Sequence, residues 1–232
     1  GEPKLSPKVM SVGGRLGYTD AGDTANTQTV LHAYEKAPLI FETRGLPNKD
    51  LNWGTGMPDY RGSRVGVIIQ CEGGHVVVPN YYSAEAFDKD GKEVKKWRGT
   101  DPMTPHVQNF LSAVRSRKHT DLNADIEEGF VSSALCITGG ISHLLGHTAE
   151  PGKIQDAVAK DSLFAQSVER MAEHLRKNGI DLEKDRLTLG LPLTMDPDTE
   201  RFTNSEAANK MLSRVYRKGF EVPAIDKSVA AG

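Results

Sequence analysis

Glycines between a strand and a helix come first, because a Gly-x-Gly-x-x-Gly turn lets backbone N–H groups and a helix N-terminus hold a pyrophosphate. The nearest approach here is Gly13-Gly14-Arg15-Leu16-Gly17. Its spacing is wrong and the surrounding pattern continues as strand, so these read as strand or bulge glycines. His143 and His147 stand four apart, the spacing that puts two imidazoles on one helix face for a metal. Gly146 falls between them at a helix end and no Glu completes an HExxH pattern, so they read as solvated or capping histidines. Gly140-Ile141-Ser142-His143-Leu144 lacks the second glycine of a nucleophile elbow and sits within a helical period. His32, His75, His106, His119 and His174 are scattered and define no triad. No catalytic residue, metal ligand or cofactor-binding residue emerges.

The segment 45–63 is different: it follows neither a strand nor a helix period, and loops this long inside compact domains are often functional. Trp53 and Tyr60 could stack on a sugar ring, while Asn52, Asp59 and Arg61 could meet hydroxyl groups. Arg44 stands at the end of the strand that feeds this loop. Arg44, Asn52, Trp53 and Tyr60 are therefore the candidate substrate-binding residues. The competing reading is a surface loop pinned by a buried Trp.

The elements that must position them change character near residue 100. Runs 8–18, 28–35, 38–44, 64–71 and 74–78 are β-rich, and a hairpin over 83–97 turns at Asp88-Lys89-Asp90-Gly91. Short connections favour antiparallel neighbours. Beyond that point Val107, Phe110, Leu111 and Val114 mark one helix face, begun by Thr104 and Pro105. A second helix from Asp125 carries Phe130, Ala134, Ile137, Ile141 and Leu144 as its buried stripe. Its Gly139-Gly140 and nearby serines predict close approach of another backbone. A third helix, Asp161 to Gly179, turns Phe164, Val168, Met171 and Leu175 inward, and a short fourth covers 205–214. Strands first and helices later predict one α+β domain over 1–222, an open, predominantly antiparallel sheet with helices on one face, and a fraying tail over 223–232.

Lys and Arg number 29 against 31 Asp and Glu, so no basic footprint points to nucleic acid or an anionic membrane. No apolar run approaches the roughly 20 residues of a membrane span. Cys71 and Cys136 each lie in an apolar run and read as buried free thiols. Gly1-Glu2-Pro3 reads as an internal cut rather than a natural start.

Several segments together resemble the Gfo/Idh/MocA oxidoreductases, in the bacterial branch with an extended C-terminal α/β domain. They are Ser11-Val12-Gly13-Gly14-Arg15, Asp23-Thr24-Ala25-Asn26-Thr27-Gln28 and Phe41-Glu42-Thr43-Arg44-Gly45-Leu46-Pro47. Asn109-Phe110-Leu111, Val114-Arg115-Ser116-Arg117-Lys118 and Asp125-Ile126-Glu127-Glu128-Gly129 through Gly146 follow, then Leu193-Thr194-Met195-Asp196-Pro197, Glu200-Arg201-Phe202 and Tyr216-Arg217-Lys218. The resemblance spans about residues 8 to 222. It implies a C-terminal substrate and oligomerisation domain whose NAD or NADP belongs to an N-terminal Rossmann domain outside this sequence. That domain would also carry the catalytic lysine. The parent would transfer hydride to or from a sugar or polyol, or cleave a glycoside by transient oxidation. A non-catalytic carbohydrate-binding or scaffold module is the alternative of a different class.

Self-association through the sheet is also expected. Reading alternate residues groups Leu31, Leu39, Phe41, Val65, Val67 and Ile69 on the helix-covered side. Val30, His32, Tyr34, Ile40, Glu42, Ile68 and Gln70 then form an open side too apolar for solvent, with Tyr34, Ile40 and Ile68 as the homo-oligomer face.

Overall fold

The computed structural model describes residues 4–222. The expected fraying tail lies outside the described residues. The chain is α+β, and every strand pair is antiparallel. β1 (Lys8–Gly14), β2 (Thr27–His32) and β3 (Leu39–Arg44) form successive hairpins. A separate meander follows, of β4 (Val67–Cys71), β5 (Gly74–Asn80), β6 (Ser83–Asp88) and β7 (Glu93–Arg98). The helices are α1 (Met103–Ser116), α2 (Ile126–Leu144), α3 (Pro151–Val158), α4 (Ser162–Lys177) and α5 (Glu206–Lys210). Short strands β8 (His147–Thr148), β9 (Thr188–Leu189), β10 (Leu193–Asp196) and β11 (Arg201–Phe202) complete the larger sheet. Its order is β11-β10-β1-β2-β3, with β9 bridging β1 and β8.

Strand starts fall close to the expected runs because alternation and turn residues agree locally, whereas β1 and β2 stop at Gly14 and His32, short of the expected runs to 18 and 35. The β6–β7 turn is closed by the Asp88 carboxylate, which accepts from Asp90 N and Lys92 N, while Gly91 takes φ +78°. The α4 helix starts where Asp161 accepts from Phe164 N at 2.9 Å, and Phe164, Val168, Met171 and Leu175 are buried as expected. The α3 helix, with Pro151 in its first turn, was not anticipated.

The helices divide between the two faces of the larger sheet instead of sharing one. Cross-strand partners point the same way, and the register joins Leu31 to Ile40 and Val30 to Phe41. Met10, Val12, Leu31 and Ile40 pack with α3 and α4. Val9 and Val30 pack with α2 through Ala134 and Ile141. The expected two-sided grouping is therefore corrected: Leu31 lies opposite Leu39 and Phe41, and β4 belongs to another sheet. Parity within each strand was readable, but the register of the β2–β3 hairpin was not, and a one-residue slip flips a whole strand.

Tyr34, Ile40 and Ile68 consequently do not share a face. Ile40 packs beside α4, Tyr34 lies past the end of β2 and donates to Lys4 O at 2.8 Å, and Ile68 sits in the meander. Gly13 stands where a Cβ would meet Thr27 O at 2.5 Å, so its role is close strand approach. On α2 the buried residues are Ala134, Thr138, Gly139, Ile141 and Ser142, whereas Phe130, Ile137 and Leu144 are exposed. The predicted close approach is made by Gly139 against Val30 and by Ser142 Oγ, which accepts from Ser11 N at 3.1 Å. Cys71 and Cys136 are exposed, not buried, because neither the end of β4 nor the outer side of α2 is covered.

The α1 helix inverts the usual arrangement. Its small side, at Ala113, turns inward, and Asn109 and Ser116 bond the 118–123 return through Asp121 and Asn123. Val107, Phe110, Leu111 and Val114, the face expected in the core, are all exposed.

Candidate functional site

The four candidate residues fall into two groups on either side of one loop. Leu46 and Pro47, fully buried, begin the loop. The C-terminal end of α4 then clamps it: Asn178 donates to Pro47 O at 2.9 Å and accepts from Leu51 N at 3.0 Å, and Asp50 N donates to Lys177 O. Asn48 closes the stretch 48–56 through Gly56 O and Thr55 O. Asn52 caps the 3-10 turn Trp53–Thr55, accepting from Gly54 N at 2.9 Å. Three described non-glycine residues with positive φ lie in this loop: Asp50, Leu51 and Arg61. For Leu51 that conformation is strained and must be held by its surroundings. The loop is pinned by Leu46, Pro47 and Asn178, not by its tryptophan.

Trp53 stands out from the surface at 58% exposure. Its ring meets Tyr18, itself 40% exposed, at 6.4 Å between centroids and an interplanar angle of 56°. Tyr18 comes from the β1–β2 connection. That connection is tied at its base by Asn26, whose side chain donates to Leu16 O and accepts from Leu16 N. The Arg15 guanidinium lies 5.5 Å from the Tyr18 ring centroid and is oriented by Asp20 and by Thr24 O. Its ion pair with Asp20 raises the Arg15 pKa and lowers that of Asp20. Two exposed aromatic rings flanked by a guanidinium and a carboxylate can receive the C–H face of a sugar and bond its hydroxyls.

The second group is a polar seam between α4 and the β2–β3 edge. Glu42 accepts from Arg44 and, at 2.6 Å, from Arg170, which also donates to Ser167 Oγ at 2.6 Å. Tyr60 lies over Arg170 at 4.2 Å from guanidinium to ring centroid, with Arg61 at 5.6 Å. His174 follows one turn along α4 from Arg170. Burial, then the positive charges of Arg44 and Lys177, push its pKa down to about 4. The structure thus brings Arg44 and Tyr60 together around Glu42 and Arg170, and sets Asn52 and Trp53 apart with Tyr18.

Tyr18, Arg15, Arg170 and His174 were not picked out from sequence. A usable signal existed for the last two: Ser167, Arg170 and His174 form a polar row beside the buried stripe of α4. Tyr18 gave only an aromatic residue within an Asp- and Gly-rich turn. Among the described residues no three His, Cys, Asp or Glu side chains gather as a metal site. No described helix is long and apolar enough to cross a membrane. Set against family models, curated proteins and solved structures, the chain finds no match.

Proposed function

We propose that this chain is the substrate-facing and assembly module of an NAD(P)-dependent oxidoreductase acting on a sugar or polyol. A Rossmann domain elsewhere would supply the cofactor. The observation that carries the sugar half is the exposed Trp53–Tyr18 pair, held by a strained and clamped loop and flanked by Arg15. Exposed aromatic rings on fixed supports give a neutral sugar its main source of contact area at low entropic cost. The Gfo/Idh/MocA resemblance supports the oxidoreductase half, with its Phe41–Pro47 segment forming β3 and the start of the candidate loop.

The assembly half rests on apolar surface. The α1 face, the outer side of α2 at Phe130, Ile137 and Leu144, and the meander at Val67, Ile69 and Trp97 are all exposed. A 14-residue amphipathic helix holds its structure in water mainly by burying its apolar face, so α1 calls for a cover. This surface replaces Tyr34, Ile40 and Ile68 as the proposed homo-oligomer face.

Trp53 and Trp97 are the only tryptophans, so Trp97→Phe isolates the emission of Trp53. Titration of that variant with neutral hexoses, pentoses and polyols should shift Trp53 emission saturably for at least one of them. Calorimetry should then show Trp53→Ala and Tyr18→Ala each weakening binding about tenfold, as losing one stacking ring implies. Unmoved emission across the panel contradicts the sugar assignment. A non-catalytic carbohydrate-binding module is favoured by the same aromatic pair. A coding region upstream of Gly1 with a strand–glycine fingerprint–helix unit supports the oxidoreductase, and its absence favours the module.

A further inference from the structure

The seam between α4 and the β2–β3 edge holds polar atoms that the protein leaves without partners. Thr27 is fully buried and its Oγ1 has none; His174 is 5% exposed and its Nε2 has none; the Nε of Arg170 is likewise buried and unpaired. They belong to one place. Thr27 is the cross-strand partner of Arg44, and Arg170 and His174 are four apart on the inward side of α4. A buried polar atom left unpaired has given up its hydration with nothing in return, so three in one seam call for something that pairs them.

The charges say what kind of group that is. Arg44 and Arg170 share one carboxylate, Glu42, which leaves one positive charge unmatched. Arg44 donates to no other described side chain. Guanidinium groups with N–H donors to spare recognise carboxylates in forked geometry. The two arginines are the part of the seam that keeps contact with solvent. β3 ends the strand order of its sheet, and the Arg44 side chain retains 15% exposure at that edge. Tyr60 lies across Arg170 as an aromatic cover, from a tight turn closed by paired backbone bonds between Tyr60 and Ser63.

We propose that the seam of Thr27, Arg44, Arg170 and His174 binds the carboxylate of an acidic sugar. This narrows the substrate class of the function proposed above to sugar acids, and the sugar part rests on that function. A carboxylate entering beside Glu42 takes donors from Arg170 Nε and from the free N–H groups of Arg44. Ser167 and Glu42 hold Arg170 in place and are positioning residues.

The test is calorimetric titration of the 232-residue chain at pH 7 with glucuronate, glucose and glycolate. Glucuronate should bind at least tenfold more tightly than glucose. Arg170→Gln and, separately, Arg44→Gln should remove that preference. Circular dichroism selects whichever seam variant is folded. Glucose and glucuronate binding equally overturns the carboxylate site and leaves the sugar assignment standing. Glucuronate and glycolate binding without glucose upholds the site and removes the sugar assignment. Binding of none of the three, or a crystal structure in glucuronate with only water in the seam, overturns the inference.

Discussion

Two histidines tie this fold to pH at the level of single residues. His32 is buried at 1% exposure with its Nδ1 unpaired, and burial pushes its pKa down to about 4. His174 is depressed to about 4 by burial and by Arg44 and Lys177. Both are favoured as neutral rings in the folded state, while in the unfolded chain they take up protons near pH 6.5. Their stabilisation is therefore complete above about pH 6.5 and is lost as pH falls through the range down to about 4. Urea midpoints should fall markedly between pH 7 and pH 4.5, and His174→Gln should flatten that dependence; equal midpoints contradict it. The pair Gly139 and Gly140 makes a sharper contrast. A Cβ at Gly139 would meet Val30 at 2.9 Å, whereas at Gly140 it meets nothing within 4 Å. Gly139→Ala should destabilise the fold, and Gly140→Ala should stabilise it by up to about 1 kcal/mol through helix propensity, read as opposite shifts in Tm. The sequence showed that small residues there meant close packing, but not which glycine faced the sheet, because that depends on the rotation of α2.

Elements were legible wherever local pattern and local burial coincide. The α4 stripe of Phe164, Val168, Met171 and Leu175 was readable because its period, its Asp161 cap and its tertiary burial agree. The same period in α1 pointed to a buried face that is exposed, since periodicity marks an apolar side without saying what covers it. A matched pair of truncations separates the two cases. Phe164→Ala should cost about 3–5 kcal/mol in urea unfolding, as for a fully buried aromatic, while Phe110→Ala should cost well under 1 kcal/mol in dilute chain. A large loss for Phe110 would mean that α1 packs inward. The candidate loop was likewise half legible. Its lack of period flagged it, and Trp53 and Arg44 were visible as types. The partners that define their roles, Tyr18 from another loop and Arg170 from α4, come together only through the fold.

At the scale of the whole molecule, the larger sheet is covered on both faces by its own helices over β1 and β2, and apolar surface gathers elsewhere. It lies on α1, on the outer side of α2, on the meander, and on β3 at Leu39 and Phe41. Exposed apolar surface of that kind is the mark of an interaction site, and a twofold pairing is the simplest closed arrangement for a single chain. The claim that this chain is an assembly module meets its most direct test in sedimentation equilibrium at micromolar concentration, comparing the chain with its Phe110→Glu, Leu111→Glu variant. A dimer or larger species that the double substitution converts to monomer is the expected result. A wild-type chain that sediments as a soluble monomer across that range contradicts it.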